Sequence, residues 1–220
     1  AMHMIPRREV FETSALNGIP WDDSQVLVTT VHRRESLGEH LEAICDALEA
    51  IVRLHANVHI AFPVHLNPRV RDVVHARLAG IPRIHLLDPL PYPELLELLR
   101  RSHFVLSDSG GIQEEVPTLG KPILILRDTT ERPEVVHAGF GELVGTDATR
   151  ILARTSALLT DHALYAQRSS GRNPFGDGRA AFRIAEVIDT LLRHPPERRG
   201  PRRLDHDQVN ATLERLSGAS

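Results

Sequence analysis

Short runs of aliphatic and β-branched residues alternate along this chain with segments whose apolar residues recur every three or four positions. Continuous apolar runs are typical of parallel strands buried on both faces, and the three-to-four spacing is typical of helices that cover a sheet. The predicted strands are 25–31, 58–64, 84–87, 104–107, 123–126 and 142–144. The predicted helices include 41–52, 68–78, 93–101, 111–119, 150–159 and 180–193. Ser36 and Glu39 have the spacing of a capping box for the first of these helices. The alternation predicts an α/β fold with a single Rossmann-like, doubly wound parallel sheet.

The alternation stops near both ends of the chain, which sets the expected domain boundaries. Residues 1–24 have mixed polarity and little periodicity, so we expect a leader or linker there, and its first four residues, Ala-Met-His-Met, resemble an expression scar. Residues 25–194 form the predicted domain. Residues 195–220 begin with a run rich in proline and arginine, which predicts a flexible tail with one short helix at 208–216.

Composition narrows the class of protein. Of the 220 residues, 41% are hydrophobic and 25% are charged, as in ordinary globular domains, and the formal net charge is −3. This balance excludes wholesale disorder and gives no support for nucleic acid or an anionic membrane as a partner. The one cysteine, Cys45, excludes an internal disulfide and favours a reducing compartment. No apolar run reaches the roughly 18–20 residues of a membrane helix, so we expect a soluble cytoplasmic protein. The 13 histidines lack the spacing of a zinc site, so no metal or cofactor is expected.

The stretch with the strongest chemical signal is Ser107 to Glu115, where a predicted strand ends and a helix begins. Gly110 and Gly111 allow a ligand to approach the backbone closely, and the free N–H groups of a first helical turn attract an anion. The hydroxyl of Ser109 adds a donor for a phosphate, and Glu114 or Glu115 can accept hydrogen bonds from sugar hydroxyls. The alternative is a glycine-permitted turn whose acidic residues complement the helix dipole.

Two further polar clusters also follow predicted strands. His32, Arg33, Arg34 and Glu35 follow the first strand, and their imidazole and guanidinium groups suit a diphosphate. Residues 127–134 carry five charged side chains and follow the strand at 123–126. One alternative is that Arg33 and Arg34 pair with Glu35 and with carboxylates on helix faces, and another is that residues 127–134 are a solvated loop. Because the carboxyl ends of parallel strands share one edge of a sheet, we expect all three clusters to form a single site.

Six motifs in this order resemble the non-hydrolysing UDP-N-acetylglucosamine 2-epimerases, and the match runs from about residue 26 to residue 192. They are His-Arg-Arg-Glu-Ser (32–36), Pro-Val-His-Leu-Asn-Pro (63–68), Asp-Ser-Gly-Gly-Ile-Gln-Glu-Glu (108–115), Gly-Lys-Pro (120–122), Arg-Asp-Thr-Thr-Glu-Arg-Pro-Glu (127–134) and Asn-Pro-Phe-Gly-Asp-Gly (173–178). In one place the sequence departs from the family pattern. The stretch from Val28 to His32 is one residue longer, which predicts a bulge ahead of His32.

The resemblance implies a fold and a ligand. Family members have two Rossmann-like halves, arranged as in the GT-B glycosyltransferases, with the nucleotide-sugar between them, and this chain is similar to the C-terminal, UDP-holding half. The UDP-binding residues implied by the resemblance are His32, Ser109, Gly110, Gly111, Glu115 and Arg132. Of these, His32 and Arg132 would assist the departure of the diphosphate, and Glu115 would take the ribose hydroxyls. Arg33 and His65 match positions that contact a second, regulatory UDP-N-acetylglucosamine in some bacterial members.

The resemblance also implies a reaction. The family eliminates UDP to give 2-acetamidoglucal and adds it back after C2 has inverted, so that UDP-GlcNAc and UDP-ManNAc interconvert without a cofactor. Its catalytic carboxylates belong to the N-terminal half, which these 220 residues do not include. We therefore expect this chain to be inactive alone and to be a fragment of a homodimeric enzyme. The alternatives are half of a GT-B glycosyltransferase and a natural, non-catalytic, half-length UDP-sugar-binding module.

Overall fold

The structure, a computed structural model, describes residue 2 and residues 5–193. Within them, the strands are β1 (Gln25–Thr30), β2 (Val58–Pro63), β3 (Ile84–Leu87), β4 (Phe104–Ser107), β5 (Ile123–Ile125) and β6 (Gly141–Leu143). The α-helices are α1 (Ser14–Asn17), α2 (Glu39–Leu54), α3 (Pro68–Leu78), α4 (Tyr92–Arg101), α5 (Gly110–Glu115), α6 (Pro133–His137), α7 (Ala148–Thr160), α8 (His162–Ser169) and α9 (Ala180–Arg193). The tail helix predicted at 208–216 lies outside the described residues.

The six described strands form one parallel sheet in the order β3-β2-β1-β4-β5-β6. This is the doubly wound order of Rossmann-type folds, in which the chain moves outward from the centre in both directions. The fold-class prediction, including its likeness to a half of a GT-B enzyme, is confirmed. The bulge expected ahead of His32 is absent from β1, because consecutive residues pair with both neighbouring strands, for example Thr29 with Leu106 and Thr30 with Ser107.

Alternate residues of the strands fill two cores, one on each face of the sheet. In β1, Leu27 belongs to the core beneath α2, α3 and α7, while Val26 and Val28 point into the core on the other face. Ile60 and Ala61 divide in the same way in β2. Burial on both faces explains why the strands read as continuous apolar runs.

The segment predicted as a leader or linker is packed against the second core. Phe11, Leu16 and Ile19 are all less than 5% exposed and contact the same core as α4 residues Leu98 and Leu99. Isolated apolar residues among polar ones produce no periodicity, which is why the pattern gives no sign of this packing.

The start of α2 corrects the capping-box prediction. The N-cap position is occupied by Gly38 with φ +69°, and no side chain caps this end of the helix. Ser36 lies instead in a short 3-10 helix and donates its hydroxyl hydrogen to the Asp108 carboxylate at 2.9 Å. The positive φ, which glycine tolerates and L-residues avoid, turns the chain so that the cap is not formed.

The described residues fall into two compact units, with the division between Gly176 and Asp177. In the described part of the second unit, Arg183 of α9 forms an ion pair with Asp177, which precedes the helix, and the guanidinium lies 2.8 Å from the carboxylate. None of the described helices is both long enough and apolar enough to cross a membrane.

Candidate functional site

The site lies where the sheet changes winding direction. β1 and β4 are neighbours, but the chain leaves β1 towards β2 and leaves β4 towards β5. The two connections diverge and open a crevice at the carboxyl ends of these strands, which is the usual ligand position in such folds. His32 follows β1 and Ser109 follows β4, so both are on this crevice.

Asp108 holds the two sides of the crevice together. Its side chain is fully buried and accepts hydrogen bonds from the backbone amides of His32 and Arg33, at 3.0 and 2.8 Å, and from the hydroxyl of Ser36. Its Oδ1 also lies 2.9 Å from Nδ1 of His32. The loop after β1 is thereby fixed to the end of β4. With Nδ1 engaged, the Nε2 atom of the His32 ring remains for a ligand.

These contacts set the charge of Asp108. Burial by itself raises the pKa of this carboxyl, but the His32 side chain and the amides of Arg33 and His32 outweigh it and hold the pKa below its ordinary value. Asp108 is therefore an anion at neutral pH, as a carboxylate that accepts several N–H bonds should be. The sequence analysis missed its role, because Asp108 is one polar residue within a motif and its partners are more than 70 positions away.

The turn from β4 into α5 presents backbone donors. The Ser109 amide donates to Oγ of Ser107 at 2.9 Å, and the Ser109 side chain is the N-cap of α5. The amides of Gly110 and Gly111 belong to the first turn, where a helix has no backbone acceptor for them. A Cβ on Gly110 would lie 3.4 Å from Nη2 of Arg33, so a larger residue would press on that guanidinium.

The third polar cluster joins the same edge through ion pairs. Arg127, which follows β5, is bonded to Glu131 at 2.6 Å and lies 2.5 Å from Glu35 of the first cluster. Arg33 lies 3.6 Å from Glu131. Hydrogen bonds from Arg127 lower the pKa of Glu131 to about 2. The structure thus brings the three clusters to one edge of the sheet, and Glu35 pairs with Arg127 in place of Arg33 or Arg34. That the clusters form a single ligand site stays a prediction.

The two neighbouring glutamates of α5 are distinguished by their partners. Glu114 forms an ion pair with Arg132. Glu115 accepts a hydrogen bond at 2.9 Å from the phenol of Tyr92, at the start of α4. Burial raises the pKa of Glu115, the bond from Tyr92 opposes that rise, and the Glu114 charge adds to it. Of the two candidates for sugar hydroxyls, Glu115 is the one without a cationic partner among the described side chains.

An apolar cavity of about 270 Å³ opens beside these groups. Its polar lining includes His32, His65 and Ser109. The apolar lining comes from Val31, Pro63, Val64, Pro89, Leu90, Leu95 and Ile112. The rings of His32 and His65 are 6.0 Å apart, so His65 also belongs to this edge of the sheet. A cavity with apolar walls and a few polar groups at one end is typical of a small-molecule site.

The chain belongs to the UDP-N-acetylglucosamine 2-epimerase family, whose model matches residues 3–189. It is 47% identical over 166 residues to the UDP-N-acetylglucosamine 2-epimerase of Escherichia coli K12, which covers 76% of this chain and 44% of that protein. The chain therefore spans about half the length of the curated relatives it matches. The family resemblance read from the motifs is confirmed.

Solved structures show the same likeness. A structure of S. aureus MnaA with UDP aligns with a TM-score of 0.81 and 34% identity, over 90% of this chain and 55% of that one. The UDP-GlcNAc 2-epimerase of Neisseria meningitidis bound to UDP-GlcNAc aligns with a TM-score of 0.76 and 38% identity, over 80% of this chain and 48% of that one.

Proposed function

We propose that this chain is the C-terminal, UDP-binding half of a UDP-N-acetylglucosamine 2-epimerase. The observation that carries the proposal is the meeting of Ser109, Gly110 and Gly111 with His32 across the β1–β4 crevice, fixed by Asp108. Backbone amides, a hydroxyl and an imidazole suit the oxygens of a diphosphate. Relatives of similar fold were solved with UDP and with UDP-GlcNAc, which supports the same ligand here.

Arg132 is the cation that we assign to the diphosphate. Its side chain is 39% exposed, and its pairing with Glu114 is therefore weak, because solvent screens an exposed ion pair. A bidentate contact with phosphate oxygens is stronger than such a pair, so Arg132 can exchange Glu114 for the ligand. Arg127 is only 7% exposed and is held by two carboxylates, so its role is to support the loop.

The remaining assignments follow from position. The apolar cavity would receive an uncharged part of the nucleotide, and Glu115 would accept hydrogen bonds from the ribose hydroxyls. Arg33 and His65, which lie on the same edge, are proposed to contact a second UDP-N-acetylglucosamine. Their place beside Gly110 and His32 supports that role.

In the whole enzyme, the proposed reaction removes the C2 proton and breaks the bond between C1 and the UDP oxygen, which leaves a C1–C2 double bond. UDP then adds back to C1 while a proton is delivered to the opposite face of C2, and this inverts C2. This half would stabilise the departing diphosphate through His32 and Arg132. The acid–base groups at C2 would come from the other half of the cleft. A cytoplasmic homodimer is proposed for the whole enzyme on the family resemblance.

Calorimetric titration of UDP into this chain tests the proposal. We expect saturable binding to the wild type, weakened by Ser109→Ala and by Glu115→Ala because each removes a polar contact with the nucleotide. Glu49→Gln, which changes a partly buried carboxylate of α2 that pairs with the exposed Arg53, is the charge control and should leave the affinity unchanged. The chain alone should not interconvert UDP-GlcNAc and UDP-ManNAc. A folded wild type that binds no UDP would contradict the proposal.

A further inference from the structure

We propose that Tyr92 is a positioning residue for ribose recognition. Its phenol donates a 2.9 Å hydrogen bond to Oε1 of Glu115, from a helix that otherwise contributes no side chain to the polar groups described above. The inference rests on the proposed function, because it names how the UDP site would recognise the sugar of the nucleotide.

The hydrogen bond from Tyr92 uses only part of the Glu115 carboxylate and leaves the rest of it for a ligand. Because Oε1 of Glu115 accepts from Tyr92, its partner Oε2 and the remaining lone pairs are available to ribose hydroxyls. A glutamate has three side-chain torsions, so an untethered carboxylate would lose conformational freedom when it binds. The bond to Tyr92 restricts that freedom in advance, which is how preorganisation increases affinity.

Tyr92 is itself held in place. It lies in the first turn of α4, together with Glu94, which is 2% exposed and accepts two hydrogen bonds from Thr13. Further along the same helix, Leu96, Leu98 and Leu99 are fully buried. The backbone that carries the phenol is therefore fixed to the core. The Tyr92 side chain is 42% exposed, so its hydrogen bond adds little to the stability of the fold. Its effect is expected on ligand binding.

The test compares UDP with 2′,3′-dideoxy-UDP, which lacks both ribose hydroxyls, by calorimetric titration. For Tyr92→Phe we expect the affinity for UDP to fall about 3- to 10-fold, the range of one hydrogen bond. The affinity for the dideoxy analogue should stay the same, so the ratio between the two ligands shrinks. A purely structural role would weaken both ligands equally. In Glu115→Gln the ratio should shrink as well, and adding Tyr92→Phe to it should change nothing further.

Tyr165→Phe is the matched control. That phenol donates to the His103 carbonyl at 2.8 Å, before the start of β4 and at the opposite end of the strand from the site. It should leave both affinities unchanged. If the wild type distinguishes the two ligands and Tyr92→Phe distinguishes them equally well, the role of Tyr92 is overturned and the UDP site stands. If the wild type binds both ligands equally, the ribose role of Glu115 falls together with that of Tyr92. If the folded wild type binds neither, the proposed function itself fails.

Discussion

At the scale of single residues, Asp108 has the largest expected effect on stability. Replacing it with asparagine removes the charge and turns one acceptor into a donor that faces the amides of His32 and Arg33. Leaving such buried donors without an acceptor costs about 2–3 kcal/mol, so we expect Asp108→Asn to lower the free energy of unfolding by that amount. Urea denaturation measures it. Asp72→Asn, on the exposed side of α3, should change it by less than about 0.5 kcal/mol. Equal losses in the two variants would refute the role of Asp108.

The residues of the site were predictable to different degrees. Ser109, Gly110, Gly111 and His32 stand out because each follows a strand, and the position of strand ends can be read from apolar runs. Tyr92 could not be found in this way. It lies 23 positions before Glu115 in another helix, and only the packing of α4 brings the two side chains together.

At the scale of elements, the contact between the amino-terminal segment and α4 depends on Glu94. This carboxylate accepts hydrogen bonds from the amide and the hydroxyl of Thr13, at 2.7 and 3.1 Å. In Glu94→Ala the partly buried amide of Thr13 loses its acceptor, and we expect the free energy of unfolding to fall by about 1–2 kcal/mol. Hydrogen exchange should rise in residues 8–19 more than in β1 or β4. Glu9→Ala, at an exposed position of the same segment, is the control. Uniform exchange across the sheet would contradict a local role.

The longest helices gave the clearest patterns. The stripes of α2, α3 and α9 run over 11 residues or more and were predicted, while α6 has 5 residues and α8 has 8, and both were missed. The start of α8 carries a signal that could have been used. Asp161 ends α7 and caps α8 through a 2.9 Å bond from the Leu164 amide, so one helix follows the other with no intervening loop.

At the scale of the whole molecule, the alternation of strands and helices was enough to predict a parallel sheet, but not the contacts that hold its carboxyl edge together. In the structure Arg127 pairs with Glu35 and Glu131. The sequence alone offers several oppositely charged candidates for each of these side chains. The local pattern of apolar residues is therefore enough to predict the layers of sheet and helices. The charge network depends on side-chain positions that only the folded structure defines. The structure also leaves several histidines only partly exposed to solvent, and their titration therefore affects the stability of the fold.

Half-buried histidines make the stability of this fold sensitive to acid. Burial and the nearby Lys121 charge lower the pKa of His103 to about 4, and burial lowers the pKa of His59 and His85 as well. The unfolded chain binds protons near the ordinary value of 6.5, so it takes up more protons than the folded chain as the pH falls. The contribution of these neutral histidines to the free energy of unfolding is therefore fully present above about pH 6.5. It is lost between there and pH 4, by on the order of 2–3 kcal/mol for His103.

Urea denaturation at a series of pH values should show this dependence of the free energy of unfolding on pH. His103→Phe, which keeps a ring against Tyr165, should make the free energy of unfolding less dependent on pH. The control His75→Gln, at an exposed position, should leave that dependence unchanged. An unchanged dependence in His103→Phe would show that other groups govern the acid response.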